Sequence, residues 1–197
     1  MSKGQNTREM IIRKASELFN MKGYAGCSMS DLMAATGLKK GGIYNHFSDR
    51  DEISLEAFNY SIAQLEARLA EVTRAADSEK TRLIAILDFY RQYATQPVIE
   101  GGCPVLNTIV DADDTNPALI SLAKKSTERL LRGLERIILK GQRCGEFQLQ
   151  VTPRVVALTI FSGIEGAILL TRAYHNDEAI QAMISCLENY LETTVFL

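Results

Sequence analysis

Histidine chemistry has little to work with in this chain. Only His46 and His175 occur, and neither belongs to an HExxH pattern. No glycine-rich phosphate loop and no Gly-x-Ser-x-Gly nucleophile elbow is present, so the common frameworks for metal-assisted hydrolysis, phosphoryl transfer and acyl transfer are missing and no enzyme is expected. Cysteine is sparse too. Cys27, Cys103, Cys144 and Cys186 lie far apart, whereas disulfide frameworks belong to short secreted chains and zinc sites need close Cys or His pairs. Free thiols and no bound metal are expected. Asp111, Asp113 and Asp114 cluster without the further ligands and the glycine of a calcium loop, and read as a solvated loop. No cofactor is implied.

Long apolar runs are absent as well. The most apolar stretch, Val155 to Leu170, is shorter than the ~20 residues a membrane-spanning helix needs and carries Glu165 near its middle, so no transmembrane segment is expected. The opening MSKGQNTREM has no apolar h-region and no small-residue cleavage site, which points to the cytoplasm. No run of alternating β-branched residues bounded by hairpin turns, no internal repeat and no low-complexity segment is found.

What is there is an ordinary globular composition with an uneven charge. Of 197 residues, 46% are hydrophobic and 23% charged, close to the averages for a folded protein, and the length suits one sizeable core with a small module. Residues 1–47 carry seven Lys and Arg against three Asp and Glu, whereas residues 48–197 carry fifteen against twenty-one. A basic module ahead of a larger acidic body places nucleic acid at the N-terminal end.

Helical periodicity runs through nearly the whole chain, and the expected fold class is all-α with about nine helices. Thr7 is expected to cap a first helix with Ile11, Ala15, Leu18 and Phe19 on one face, stopped at Gly23. Ser28, with Asp31 three residues on, opens a short second helix that ends at Gly37. Leu38 to Phe47 holds one more short helix before Ser48-Asp49 caps a long fourth, whose Leu55, Phe58, Ile62, Leu65, Leu69 and Val72 alternate at spacings of three and four. A fifth helix follows Leu83, Ile86, Leu87, Tyr90 and Ala94 up to Pro97, and Pro104 starts a short sixth reaching Val110. Asn116-Pro117 opens a seventh, with the stripe Leu119, Leu122, Leu130, Leu134, Ile137 and Ile138, before a turn region from Gly141 to Gln150 pivoting on Gly145. Thr152-Pro153 opens an eighth helix that is apolar almost all round, and a ninth begins near Asp177.

Residues 28–47, SMSDLMAATGLKKGGIYNHF, hold a helix, a glycine turn and a second short helix inside the basic module. That is the outline of a helix-turn-helix, in which the second helix enters the DNA major groove. The run Ala35-Thr36-Gly37-Leu38-Lys39-Lys40-Gly41-Gly42-Ile43-Tyr44-Asn45-His46-Phe47 resembles the signature of TetR-type transcriptional regulators, Ala-x-Gly-Val-x-x-Gly-x-(apolar)-Tyr-x-His/Tyr-Phe. The resemblance implies a helix-turn-helix DNA-binding domain over residues 1–47 and a helical effector-binding and dimerisation domain over residues 48–197. It implies a ligand-responsive regulator, most simply a repressor, that binds a palindromic operator as a homodimer and is released by a small-molecule effector.

Two positions depart from the family pattern. Lys39 stands where Ser or Thr usually caps the helix, and Gly42 where Thr or Ala is common. A helix-interior glycine costs up to ~1 kcal/mol relative to Ala, so this helix is expected to be weakly stable without DNA. By side-chain chemistry Lys39 and Lys40 suit guanine O6 and N7 or phosphate, and Asn45 suits adenine. The resemblance adds Gly41, Tyr44 and His46, the last two near backbone phosphates, and the helix N-terminus at Ser28 offers a further phosphate contact. Ile43 and Phe47 read as core.

For the body, the resemblance implies a pocket and a two-fold interface. Candidate pocket residues are Phe89, Tyr90, Tyr93, Cys103, Asn107, Phe161, Glu165 and Tyr174, although aromatics at helical spacing read equally well as plain core. Glu165 is the sharpest of them, because a carboxylate among Ile164, Ala167 and Ile168 is costly unless paired or facing water. It suits a cationic or hydroxylated ligand, or equally an Arg172 contributed by a second copy. Dimerisation is assigned to the last two helices through Phe161, Gly163, Gly166, Ile180, Met183, Ile184, Leu187 and Leu191. Gly102-Cys103-Pro104-Val105-Leu106-Asn107 resembles a Gly-Cys-x-x-x-Asn element of a subset of these regulators, some of which respond to electrophiles or oxidants. A thiol at a helix N-terminus gains thiolate character, so a thiol-based sensor on the same scaffold stays open beside the reading of Cys103 as a small buried residue. The remaining alternative is a helical interaction module that does not bind DNA.

Overall fold

The computed structural model describes residues 3–93, 95–113 and 115–197. Among these residues nine α-helices make the architecture, and the sole extended pairing is an isolated antiparallel bridge between Phe147 and Phe196. In chain order the helices are α1 (Lys3–Lys22), α2 (Met29–Thr36), α3 (Lys40–Tyr44), α4 (Arg50–Val72), α5 (Glu79–Tyr93), α6 (Pro104–Ala112), α7 (Pro117–Arg143), α8 (Pro153–Tyr174) and α9 (Glu178–Tyr190), followed by a π-helical turn at Leu191–Val195. The chain packs as two compact units: one holds the chain up to Leu65 together with Ile99–Ser126, the other Glu66–Val98 and Thr127–Leu197.

In the first unit, α1 starts before Thr7, which lies within the helix rather than capping it. Lys3 to Asn6 contain no proline, and Gly4 weakens a helix by only about 1 kcal/mol without removing a backbone donor, so the helix runs back through them. At its other end Gly23 takes the left-handed conformation, φ 77°, and its N–H reaches the Phe19 carbonyl at 2.9 Å. The buried residues Ile11, Ala15 and Phe19 of α1, Leu32 of α2, Ile43 of α3 and Phe58 of α4 make the core. The Arg8 guanidinium lies over the Phe47 ring and pairs with Glu52 at 3.1 Å and with Glu56. Asp49 accepts the Glu52 N–H at 2.8 Å while the Glu52 carboxylate accepts the Ser48 N–H at 2.7 Å, so Ser48-Asp49 caps α4 as expected.

The start of α6 grips the end of α1. Asn20 Nδ2 donates to the carbonyls of Glu100 (2.8 Å) and Gly102 (2.9 Å), and Asn107 Nδ2 reaches Asn20 Oδ1 (2.8 Å) and the Gly101 carbonyl (2.8 Å). Gly101 has φ +102°, and a Cβ there would stand 2.6 Å from the Asn20 carbonyl oxygen, so only glycine fits. Asp111 closes the turn after α1 by accepting the N–H groups of Tyr24 (2.5 Å) and Ala25 (3.3 Å). The solvated-loop reading is therefore corrected for Asp111, whose carboxylate is needed by two turn amides that no sequence-local group serves; Asp114 lies outside the described residues.

In the second unit α9 packs on α8 and α5. Leu83 and Leu87 of α5, Ile138 of α7, Ile160 and Ile164 of α8, and Ile180 and Ile184 of α9 are buried there. Ala94, expected on the inner face of α5, lies outside the described residues. A Cβ at Gly141 would overlap the Phe147 ring, so glycine at that position lets α7 run on to Arg143 beneath the ring, past the expected turn. Phe147 stacks on Phe196 with ring centroids 5.2 Å apart, and Glu146 and Gln148 pair with the tail through Leu197 N–H to Glu146 O (2.9 Å) and Gln148 N–H to Val195 O (2.8 Å). Helix α8 reaches 22 residues, which by length and composition would cross a bilayer; its Val156, Ala157, Ile160, Ile164 and Ile168 are instead buried within this unit.

Candidate functional site

Helix α2 is fixed at both ends by its own sequence. The Asp31 N–H donates to Ser28 Oγ (3.2 Å), and the Ser28 N–H returns to Asp31 Oδ2 (2.8 Å), a complete capping box. Gly37 ends the helix at φ 70°. The Lys22 ammonium, 2.5 Å from Asp31, together with Ser28 holds the Asp31 carboxyl well below the usual carboxylate range. The Ser28 hydroxyl also donates to Asp31 (2.6 Å), so at this helix N-terminus the hydroxyl serves the cap.

Helix α3 follows one turn later. Lys39 is its N-cap and supplies no side-chain cap bond, in keeping with the departure from Ser or Thr. Ile43 and Phe47 are buried and anchor the helix, so the remaining positions turn outward: Lys39, Lys40, Gly41 and Asn45 are exposed, Tyr44 and His46 half-buried. Lys40 Nζ stands 5.8 Å from the Tyr44 ring centroid. The result is a short, cationic, outward-facing helix on a rigidly capped support, the geometry that reads base edges.

A second site is a cavity of about 400 Å³ within the second unit. Its walls are Leu69 and Ala70 of α4, Thr73 just past its end, Ile86 and Tyr90 of α5, Leu130, Gly133, Leu134 and Ile137 of α7, and Ile160, Phe161, Ile164 and Glu165 of α8. Glu66 and Arg129 also line it and form an ion pair at 2.5 Å. Glu165 is 8% exposed. Of the sequence candidates, Tyr90, Phe161 and Glu165 come together here. Phe89 and Tyr93 do not line it: Phe89 is turned about 100° round α5 from Tyr90, and Tyr93, on the face of Ile86 and Tyr90, stands a turn further along the helix, its ring 5.6 Å from that of Phe89. Tyr174 is exposed at the end of α8. Asn107 and Cys103 belong to the first unit, the former in the bonds to Asn20 and the latter buried at the N-cap of α6, 3% exposed. Sequence reasoning missed Leu69, Gly133 and Ile137. Gly133, a small residue inside a strong helical pattern, was the one available signal.

The predicted dimer residues divide. Ile180, Ile184, Leu187 and Leu191 are buried in their own chain, which corrects their assignment to a partner-facing surface: the α9 stripe covers α8 and α5. Gly163 serves that same packing, since a Cβ there would come within 2.9 Å of Met183 Sδ. Phe161 is a cavity residue. Gly166, by contrast, is exposed with nothing within 4 Å of a Cβ position. It lies on an exposed α8 stripe with Val155, Leu158 and Ser162 at spacings of three and four, and with Leu169 and Leu170 three and four residues on.

Comparison with known proteins matches two segments of the chain to two family models. The model described as "Bacterial regulatory proteins, tetR family" covers residues 11–57, and "Tetracyclin repressor-like, C-terminal domain" covers residues 79–187. A TetR transcriptional regulator from Chloroflexus aurantiacus J-10-FL is 37% identical over 100% of both chains, with a TM-score of 0.96. A TetR-family transcriptional regulator from Cytophaga hutchinsonii is 32% identical over 98% of this chain and 97% of its own, with a TM-score of 0.90. The HTH-type transcriptional repressor DhaR of Mycobacterium sp. (strain GP1) is 21% identical over 90% of this chain and 88% of its own.

Proposed function

We propose that this chain, which belongs to the TetR family of transcriptional regulators, works as a homodimer that reads a palindromic operator through α3 and releases it when a small molecule fills the cavity of the second unit. It is a ligand-responsive helix-turn-helix DNA-binding regulator. The observation that carries the finer reading is the outward set of Lys39, Lys40 and Asn45 on a helix held down by Ile43 and Phe47. Lys39, Lys40 and Asn45 contact base edges, while Tyr44 and His46 approach phosphates and Gly41 lets the helix backbone come close. In functional terms, residues 1–47 bind DNA and residues 48–197 sense and dimerise, the α8 stripe around Gly166 meeting its two-fold copy. Leu69 and Ala70 of the cavity wall lie on α4, which continues back to the helix-turn-helix, so ligand occupancy is carried along that helix. The chain acts in the cytoplasm, as a repressor, without catalysis of its own.

Fluorescence anisotropy with genomic duplexes tests this. Two chains per palindrome are expected, with half-sites about 10 base pairs or somewhat more apart, and an affinity that falls steeply with salt. A monomer with equal affinity for every sequence would overturn the reading.

A further inference from the structure

We propose that the cavity of the second unit takes an amphipathic amine, an alkyl or aryl body with one protonated nitrogen, seated with that nitrogen at Glu165. The proposal rests on the cavity being the effector site and names its ligand class. Leu69, Ile86, Leu130, Leu134, Ile137 and Ile160 make most of the wall aliphatic, so a molecule filling about 400 Å³ must be apolar over most of its surface. Into that wall the fold sets the Glu165 carboxylate, nearly buried, one helical turn from Phe161. An ionised carboxylate has about four acceptor positions and no donor, so whatever its own chain offers it, a ligand reaching it is selected for N–H donors and positive charge. The rings of Tyr90 and Phe161 line the same cavity, and aromatic faces attract cations.

The positive groups of the lining do not reverse this preference. Arg129 is held by Glu66, and both are more than a third exposed; Arg136 is exposed as well. Solvent and salt screen charges at such positions, whereas a charge removed from water is screened less and acts more strongly. The inner carboxylate therefore sets the head group.

Isothermal titration of the full chain with octylamine, octanol and octanoate, in the parent, Glu165→Gln and Gly133→Leu, tests the proposal. Gly133 lines the cavity with open space where a Cβ would stand, inside α7, so leucine there fills the cavity and suits the helix better than glycine. Octylamine is expected to saturate one site per chain about tenfold or more tighter than octanol, with octanoate weakest. Glu165→Gln should erase the amine's advantage and leave octanol nearly unchanged, and Gly133→Leu should abolish binding of all three. Should the Gln variant fail to fold, the order amine, alcohol, carboxylate in the parent decides. Octanol or octanoate binding as tightly as octylamine, an unchanged amine affinity in Glu165→Gln, or no saturable octylamine binding each overturns the amine class. The cavity reading survives if binding of the other two still disappears in Gly133→Leu. Octylamine saturating undiminished in Gly133→Leu places the site elsewhere and sinks both.

Discussion

The Tyr24 hydroxyl, under the turn that follows α1, accepts the Thr108 hydroxyl proton at 3.2 Å, and burial pushes its pKa up to about 12. In the unfolded chain a phenol titrates near its ordinary value of about 10. The folded state thus keeps a proton that the unfolded state gives up, so the contribution is full below about pH 10 and is lost as the pH rises towards about 12, at roughly 1.4 kcal/mol per unit. Urea denaturation of the parent and Tyr24→Phe across that range should show the parent losing ground; a constant difference would refute the linkage. On the DNA face, Asn45→Ala should lose about 1–3 kcal/mol of discrimination between operator variants, whereas Tyr44→Phe should weaken all sequences alike. Competition binding decides, and an Asn45→Ala protein that ranks operators as the parent does removes Asn45 from the readout. The Ser28–Asp31 cap was legible because both halves lie within one turn of sequence. The Lys22–Asp31 ion pair that joins this cap to the end of α1 was not, since nothing local to either residue marks the other.

At the scale of elements, the Gly-Gly-Cys-Pro segment and Asn107 act as a clamp on α1. Asn107→Ala should destabilise the chain by about 1–3 kcal/mol, because Asn20 Oδ1 and the Gly101 carbonyl lose their shared donor. A change within about 0.5 kcal/mol in denaturant unfolding would show the bonds to be dispensable. The same segment bears on Cys103, which is buried while Cys144 and Cys186 are exposed. N-ethylmaleimide is expected to label Cys144 and Cys186 quickly and Cys103 slowly in the native protein; rapid labelling of Cys103 would revive the thiol-sensor reading. Helix positions and most caps followed from periodicity, proline and glycine. The clamp did not, because Asn20 and Asn107 are eighty-seven residues apart and nothing local in either marks the other.

For the whole molecule, the surface proposed for the two-fold interface is the exposed α8 stripe. Gly166→Glu is expected to convert the dimer to monomers in sedimentation and to cost operator affinity, with the monomer fold intact since a Cβ at Gly166 meets nothing within 4 Å. A Gly166→Glu protein that remains dimeric would move the interface off this stripe. That α8 is apolar all round was plain in its sequence. Which of its faces belongs to the chain's own core was not, since periodicity cannot distinguish two apolar faces, and the α9 residues Ile180 and Ile184 that looked outward are claimed by α8 and α5.

Gly41 and Gly42 leave two blank places on the reading helix. A Cβ at Gly41 meets nothing within 4 Å, one at Gly42 meets only Leu38 at 3.7 and 3.9 Å, and neither glycine adopts a left-handed backbone. Replacing Gly42 would firm the helix by up to ~1 kcal/mol while adding a new probe of the groove, whereas a side chain at Gly41 would hold the helix backbone off the DNA. Change of target is thus separated from loss of stability. On the proposed readout, a gene duplicate of this chain would shift its operator preference by a substitution at Gly42 without passing through a less stable protein.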